Sequence, residues 1–119
     1  METINKMMPD WAFDTNCAIT VADAECNIIY MNRLSRETFQ KRGGADLIGK
    51  NLMDYHNERS RGIIRRLLEE GGTNAYTIEK NGQRKMIYQS AWRNEKGEVA
   101  GLMEISMVIP AEMPHYVRN

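Results

Sequence analysis

The sequence predicts an α+β fold, with one five-stranded antiparallel sheet that carries several short helices and one longer helix on one face. Two short runs rich in β-branched residues, 18–22 and 28–31, stand near the N-terminus, and strand signals fill residues 73–109. The clearest helix pattern, Glu58–Glu70, lies between them. Strands grouped at both ends of a chain, with helices between them, are typical of this class.

Length and charge narrow the class of protein. The chain has 119 residues, enough for one hydrophobic core and one domain. Its 16 basic and 16 acidic residues cancel, so we expect no binding to nucleic acid or to an anionic membrane. Residues 1–10 lack the apolar core of a signal peptide, and no stretch is long enough to span a bilayer. We therefore expect a cytoplasmic protein.

The chain divides into three predicted segments. Residues 1–13 are interpreted as an N-terminal cap with a short helix near Pro9, and Trp11 and Phe13 would anchor it on the open face of this sheet or of a partner's sheet. Residues 14–109 form the domain. Residues 110–119 contain two prolines, so they cannot continue the last strand and form a tail or a connector.

The first two strands are interpreted as a hairpin whose turn is formed by residues 23–27. Asn32 ends the second strand, and its side chain is expected to cap a helix that runs through Phe39. The pairing that we assign to the hairpin places Cys17 opposite Asn32 and away from Cys26. We therefore expect no structural disulfide, as is usual in a reducing compartment.

The middle of the chain is predicted to be helical. Gly43-Gly44 breaks the first helix, and residues 45–55 are expected to form one or two short turns. The longer helix should begin after an Asn57 cap and stop at Gly71. Its predicted apolar face consists of Ile63, Ile64, Leu67 and Leu68. Such an amphipathic helix packs on a sheet.

Two turns divide residues 73–109 into three strands. Asn81-Gly82 supplies the two positive φ angles that a type I′ turn needs, and it places Glu79 opposite Arg84. The second turn, residues 94–97, ends in a glycine and returns the chain into the last strand. We therefore expect three long antiparallel strands that follow one another in the sheet.

Together these elements resemble a PAS domain, a small sensory and interaction module of signalling proteins. The resemblance rests on residues 18–23, on residues 28–32 before the first helix, on Leu47-Ile48-Gly49-Lys50 before the long helix, and on the closing hairpin at residues 93–101. It covers residues 14–109. In one departure Cys26 stands where the family often has glycine, so we expect the positive φ angle at Asn27.

The resemblance implies a sensory or regulatory module of a bacterial signal-transduction protein. A small molecule, or a redox or gas cue, would act in a pocket between the sheet and the helices. The signal would leave through a homodimer contact, another signalling domain or the chain ends. Ten residues are candidates for the pocket: Met31, Phe39, Leu52, Tyr55, His56, Ile64, Leu68, Tyr88, Met103 and Ile105.

A ligand-free dimerisation or interaction module is the first alternative. Aromatic and methionine side chains on strands more often belong to a core or an interface than to a ligand site. The last strand is partly apolar on both faces, with Met103 and Ile105 on one and Leu102 and Val108 on the other. Covering both faces needs helices on one side and a terminal helix or a second subunit on the other.

Single residues of the sequence bear on the cofactors that PAS domains bind, and they assign none of these cofactors to the chain. The photoreceptor flavin adduct needs a cysteine after Gly-x-Asn, and Leu52 at that place excludes the adduct but not plain flavin binding. Haem-binding relatives commonly use a histidine in or near the long helix as axial ligand, and His56 stands there. A haem sensor is therefore the second alternative, although a histidine at a helix entry can also simply bond the backbone. His115 lies in the tail, and no third metal ligand is evident.

Catalytic motifs are not evident in the sequence. It contains no glycine-rich phosphate loop, no His-Glu-x-x-His zinc motif and no nucleophile elbow. Neither cysteine has an evident activating base nearby in the sequence. We therefore expect no enzymatic activity.

Overall fold

The computed structural model of the protein describes residues 8–119. Five strands form one antiparallel sheet in the order β2-β1-β5-β4-β3. The strands are β1 Ala18–Asp23, β2 Ile28–Met31, β3 Thr73–Lys80, β4 Gln83–Arg93 and β5 Val99–Ile109. The predicted fold class and the predicted strands are confirmed.

Helical segments lie before β1 and between β2 and β3. They are α1 Asp10–Phe13, α2 Arg33–Thr38, three 3₁₀ turns at Gln40–Arg42, Gly44–Leu47 and Leu52–Tyr55, and α3 Glu58–Glu70. Helix α3 contacts β5 and β4, as expected of an amphipathic helix on a sheet. The short helix predicted near Pro9 is α1, while residues 1–7 of the predicted cap lie outside the described residues. No helix of the described part is long and apolar enough to cross a membrane.

The β3–β4 hairpin has the predicted register. Asn81 and Gly82 take φ angles of 54° and 75°, as a type I′ turn requires. Glu79 pairs with Arg84, whose guanidinium nitrogen lies 3.3 Å from the carboxylate. The turn that follows β4 is closed by a hydrogen bond of 3.0 Å from the Gly97 amide to the Asn94 carbonyl. Local turn chemistry therefore fixes this half of the sheet.

Helix α3 begins and ends where the sequence predicts. The Asn57 side chain accepts a hydrogen bond of 2.9 Å from the Ser60 amide, and Gly71 ends the helix with a φ angle of 69°. Ile64 and Leu67 are buried, but Ile63 is 37% exposed. The prediction that Ile63 belongs to the buried face is wrong, because Ile63 faces an open groove between α3 and β3.

The β1–β2 hairpin differs from its prediction. Ile19, and not Cys17, lies opposite Asn32, because the register shifts between Val21 and Ala22. The positive φ angle of the turn, 70°, belongs to Cys26, so its assignment to Asn27 was wrong. Local and distant contacts meet at Cys26, since its amide donates to the Asp23 carbonyl at 3.0 Å and its carbonyl accepts from the Leu52 amide at 2.7 Å. Together they accompany a conformation that a residue with a Cβ rarely adopts.

Asn32 joins three elements through one buried amide. Its Oδ1 accepts from the backbone amides of Ile19 at 2.9 Å and Ser35 at 3.0 Å, the second of which is the predicted helix cap. Its Nδ2 donates to the carbonyls of Ala12 at 3.1 Å and Cys17 at 2.9 Å. All four hydrogen-bonding positions of the amide are used. Asn32 therefore ties α1 and β1 to the start of α2.

The core lies between the sheet and the helices in two clusters. One contains Cys26, Ile64, Leu67 and Leu102. The other contains Ile28, Met31 and Leu47. Leu52 packs against both clusters, so the 3₁₀ turn at Leu52–Tyr55 joins them.

Candidate functional site

A cavity of about 540 Å³ lies between the inner face of the sheet, which is the face that carries α2 and α3, and the helical segments. This volume is within the range of small-ligand pockets. Its apolar wall is formed by Ile28, Phe39, Leu47, Leu52, Ile64 and Leu102. The wall combines both core clusters, so the cavity interrupts the core and does not lie on the surface.

Five of the ten predicted pocket residues line this cavity. They are Phe39, Leu52, Tyr55, His56 and Ile64. Phe39 follows α2, the next three belong to the last 3₁₀ turn or follow it, and Ile64 lies on α3. The fold thus brings together the predicted pocket residues that lie on or next to the helical segments.

Met31 and Leu68 lie beside the cavity without lining it. Met31 is fully buried against Ile28 and Leu47. Leu68 is half-buried and packs on the cluster that contains Ile64. Both side chains pack against residues that line the cavity.

Tyr88, Met103 and Ile105 lie on the other face of the sheet. Leu102 and Glu104 of β5 line the cavity, and side chains alternate between faces along a strand, so Met103 and Ile105 point away from it. Tyr88 is paired with Ile105 and shares its face. The sequence prediction assigned these three side chains to the wrong face of the sheet.

Sequence reasoning missed the polar part of the lining. It consists of Thr20, Thr38, Lys41, Arg42, Lys80, Gln89 and Glu104. Two of these residues could have been found from the predicted strands, because Glu104 lies two residues from the buried Leu102 and Gln89 is its cross-strand partner. Side chains alternate between the two faces of a strand with a period of two residues, so one buried position predicts which others face the cavity.

The floor of the cavity carries a chain of polar side chains that crosses three strands. The Asn74 Nδ2 donates to the Gln89 Oε1 at 3.0 Å, and the Gln89 Nε2 donates to the Glu104 Oε1 at 3.1 Å. Gln89 is buried and Glu104 is half-buried. Burial, and after it the charge of Glu104, raise the pKa of the nearby Tyr76 phenol. Glu104 therefore presents a carboxylate to the enclosed side of the sheet.

His56 stands at the edge of the cavity in a defined orientation. Its Nδ1 lies 2.8 Å from the Leu52 carbonyl oxygen, which can only accept, so Nδ1 carries the proton. In the neutral ring Nε2 is then free of a proton. The Arg61 guanidinium donates to the His56 carbonyl at 3.0 Å and to the Met53 carbonyl at 2.9 Å, which fixes the turn before α3.

This orientation fits a haem ligand. A metal-binding histidine usually donates its other ring N–H to a carbonyl or a carboxylate, as His56 does. Lys41 and Arg42 are exposed cations on the same cavity lining and would pair with carboxylates of a bound group. Within residues 8–119, no three histidine, cysteine or acidic side chains could hold a metal ion by themselves. His56 would thus have to act with a group that supplies its own metal.

A second groove of about 510 Å³ adjoins the cavity between the start of α3 and β3. Ile63 and Tyr76 line it, and His56 and Gln89 border both spaces. These two side chains therefore separate the two spaces.

The outer face of the sheet, on the side away from α3, is apolar and half-buried. Its side chains include Ile19, Val21, Met86, Tyr88, Met103, Ile105 and Met107. Trp92 also belongs to this face, and its indole crosses Gly101 to donate to the Ala22 carbonyl at 3.0 Å. A Cβ at position 101 would meet both the indole and that carbonyl, so glycine is needed there.

Comparison with known proteins gives one family and several related structures. A family profile described as "PAS fold" matches residues 13–112. The chain is similar to the Aer2 receptor of Vibrio cholerae, whose structure is described as a dual PAS-heme oxygen sensor. The two are 23% identical, and the likeness covers 79% of this chain and 95% of that chain at a TM-score of 0.58. No curated protein sequence matches the chain.

Two further structures share the fold. The PAS domain of histidine kinase ThkA is 18% identical, with 78% of this chain and 99% of that chain covered, at a TM-score of 0.62. VqmA bound to DPO is 15% identical at a TM-score of 0.65, with 91% of this chain covered, and the chain spans 57% of that protein. At these identities the likeness concerns the fold.

Proposed function

The chain belongs to the PAS-fold family, and from that premise we propose that it is a sensory module that binds a small molecule in the cavity between the sheet and the helices. PAS domains are sensory signalling modules. The observation that carries the proposal is the cavity itself, about 540 Å³ with an apolar wall and a few polar groups on its floor. That combination is typical of ligand sites.

Signal transmission is proposed to run through α3 and the last two strands. Ile64 and Leu102 belong to the core and also line the cavity, so a ligand that contacts them changes the packing of α3 on β5. The same strands carry the outer apolar face, which would bind a second copy or another signalling domain. We propose residues 14–109 as the sensing unit and residues 110–119 as a connecting arm.

We propose that the protein is cytoplasmic and that it has no catalytic activity. Cys17 and Cys26 are free thiols, as is common in reducing compartments. Cys26 is buried, and burial raises the pKa of its thiol, with a smaller contribution from Asp23. A thiol with a raised pKa is a poor nucleophile, so this cysteine offers no support for catalysis.

Filling the cavity tests the proposal. We would titrate indole into the protein and follow amide signals by nuclear magnetic resonance, in the natural protein and in Leu52→Trp. Leu52 lines the cavity, so the larger side chain should take up part of its volume and weaken binding. The control is Val117→Trp, at a tail position that is 84% exposed. Unchanged indole binding in Leu52→Trp would refute the cavity as the site.

A ligand-free dimerisation module is a second candidate function. The outer face favours it, because an apolar sheet face of this kind is usually covered. Ile105→Glu should lower the mass in solution to that of a monomer, whereas Val117→Glu should not. Leu102→Glu is unsuitable for this purpose, because Leu102 is 3% exposed and belongs to the core. A mass that Ile105→Glu leaves unchanged would eliminate this face as an interface.

A haem sensor is a third candidate, and the hydrogen bond between His56 Nδ1 and Leu52 favours it. Haem would supply an iron able to bind a gas or change oxidation state. His56 would hold that iron through Nε2. Haemin added to the natural protein should then give an absorption spectrum that changes in His56→Ala and stays the same in His115→Ala. Identical haemin spectra and affinities in all three proteins would end this hypothesis.

A further inference from the structure

Glu104 is a carboxylate without a cationic partner on the floor of the cavity. It forms no salt bridge with any residue in 8–119, and its one side-chain hydrogen bond is the 3.1 Å contact from Gln89. An ionised carboxylate accepts about four hydrogen bonds. Most of its acceptor capacity is therefore open toward the cavity that it lines.

The neighbouring amide has a fixed orientation. The Gln89 Oε1 accepts from Asn74 at 3.0 Å, so the Gln89 NH₂ group faces Glu104. Reversing the amide would place its oxygen against the carboxylate, which is unfavourable. Gln89 is 7% exposed. On the floor a ligand would therefore meet an acceptor at Glu104, next to the hydroxyl of its cross-strand neighbour Thr20.

Charges of both signs line the cavity. Lys41, Arg42 and Lys80 are exposed, whereas Glu104 is half-buried on the sheet. A ligand with a cationic end is attracted inward by the carboxylate, and an anionic end is repelled from it. The apolar wall formed by Phe39 and Leu47 would cover the remainder of the molecule.

Resting on the proposed function, we propose that the ligand is a small molecule whose apolar body carries an amidinium or ammonium group, and that Glu104 binds this group. The contact is a charge-assisted hydrogen bond, which is stronger than a neutral one. Glu104 is thus the residue that decides which class of molecule enters.

Matched probes test this assignment. We would measure the binding of benzamidine, benzoate and indole by amide chemical shifts in the natural protein, Glu104→Gln, Glu104→Asp and Glu95→Gln. Benzamidine should bind the natural protein at least tenfold more tightly than benzoate. Glu104→Gln should remove that preference, Glu104→Asp should retain it, and Glu95→Gln, at an exposed turn position, should not change it.

The outcomes separate the two proposals. If indole binds and Leu52→Trp weakens its binding, but the protein does not prefer benzamidine over benzoate, the ligand class is wrong and the sensory cavity stands. If Glu104→Gln keeps the full preference, Glu104 is not the binding group. If none of the three probes binds the natural protein, the proposed function fails as well.

Discussion

The two faces of the sheet are built from alternate residues of the same strands, yet they have different chemistry. On β4 and β5 the inner face carries Gln89, Leu102 and Glu104, while the outer face carries Tyr88 and Met103. The inner face combines buried apolar groups with hydrogen-bonded polar ones. The outer face is apolar and half-buried without such a network. This difference is the basis for proposing ligand recognition on one face and association on the other.

The shared backbone couples these faces. A displacement of a strand by a ligand on the inner side moves the side chains on the outer side as well, because neighbouring residues point in opposite directions. No long path between distant sites is therefore needed for the proposed sensing function. Four experiments test this difference between the two faces.

The largest expected effect is that of a charge placed on each face. Leu102→Glu should lower the free energy of unfolding by about 4 kcal/mol or more, because it buries an unpaired carboxylate. Ile105→Glu, on the half-buried outer face, should cost the monomer about 1 kcal/mol. Urea unfolding of both variants gives the comparison. Equal losses would show that the faces do not differ in burial as described.

Gly101→Ala should have the next largest effect. The added Cβ would meet the Ala22 carbonyl and the Trp92 indole, so the indole must move and lose its hydrogen bond. We expect a loss of about 2 to 3 kcal/mol. Gly72→Ala is the matched control, because a Cβ there meets nothing within 4 Å. Thermal or urea unfolding that leaves Gly101→Ala as stable as the control would contradict the crossing of Trp92 over β5.

Gln89→Leu should have a smaller effect. It leaves the Asn74 amide and the Glu104 carboxylate without their shared partner, at a cost of about 1 to 2 kcal/mol. The neighbouring Tyr88→Phe, on the outer face, should change stability by less than about 0.5 kcal/mol. Denaturant midpoints measure both. If Tyr88→Phe costs more than Gln89→Leu, the polar network is not confined to the inner face.

The smallest expected effect concerns pH. The pKa of Tyr76 is raised in the folded chain by burial and then by Glu104, so the folded state holds this proton after the unfolded state releases it. Stability should therefore fall as the pH rises above about 10, the ordinary tyrosine value. Titrating the absorbance of ionised tyrosine in Glu104→Gln should show a lower pKa than in the natural protein. An unchanged titration would mean that Glu104 does not face Tyr76.

Much of the fold could be predicted because it depends on nearby residues. Asn81-Gly82 fixes a register within four residues, and Asn57 and Gly71 delimit α3. The pairing of the first hairpin could not be predicted, because the register shifts between Val21 and Ala22 and because the distant Leu52 amide contacts the turn at Cys26. Contacts between residues that are distant in sequence leave no pattern in the local sequence.

The candidate site was predictable on its helical side and not on the sheet. Phe39 and Tyr55 pack against the core cluster that contains Ile28, and His56 directly follows Tyr55, so closeness to the core places all three at the cavity. Leu102 and Met103 are both apolar, and the sequence does not say which of them faces the helices. Once Leu102 is known to be buried, Glu104 follows by alternation.

Asn32 has a consequence for the interpretation of mutational scans. Its amide meets two donors and two acceptors at once, a combination that aspartate, leucine or alanine cannot reproduce. Asn32 does not line the cavity. A mutational scan that measures signalling would nevertheless show that Asn32 cannot be replaced. Protein abundance measured in the same scan should fall as well, which would show that the replacements disturb folding of the N-terminal half.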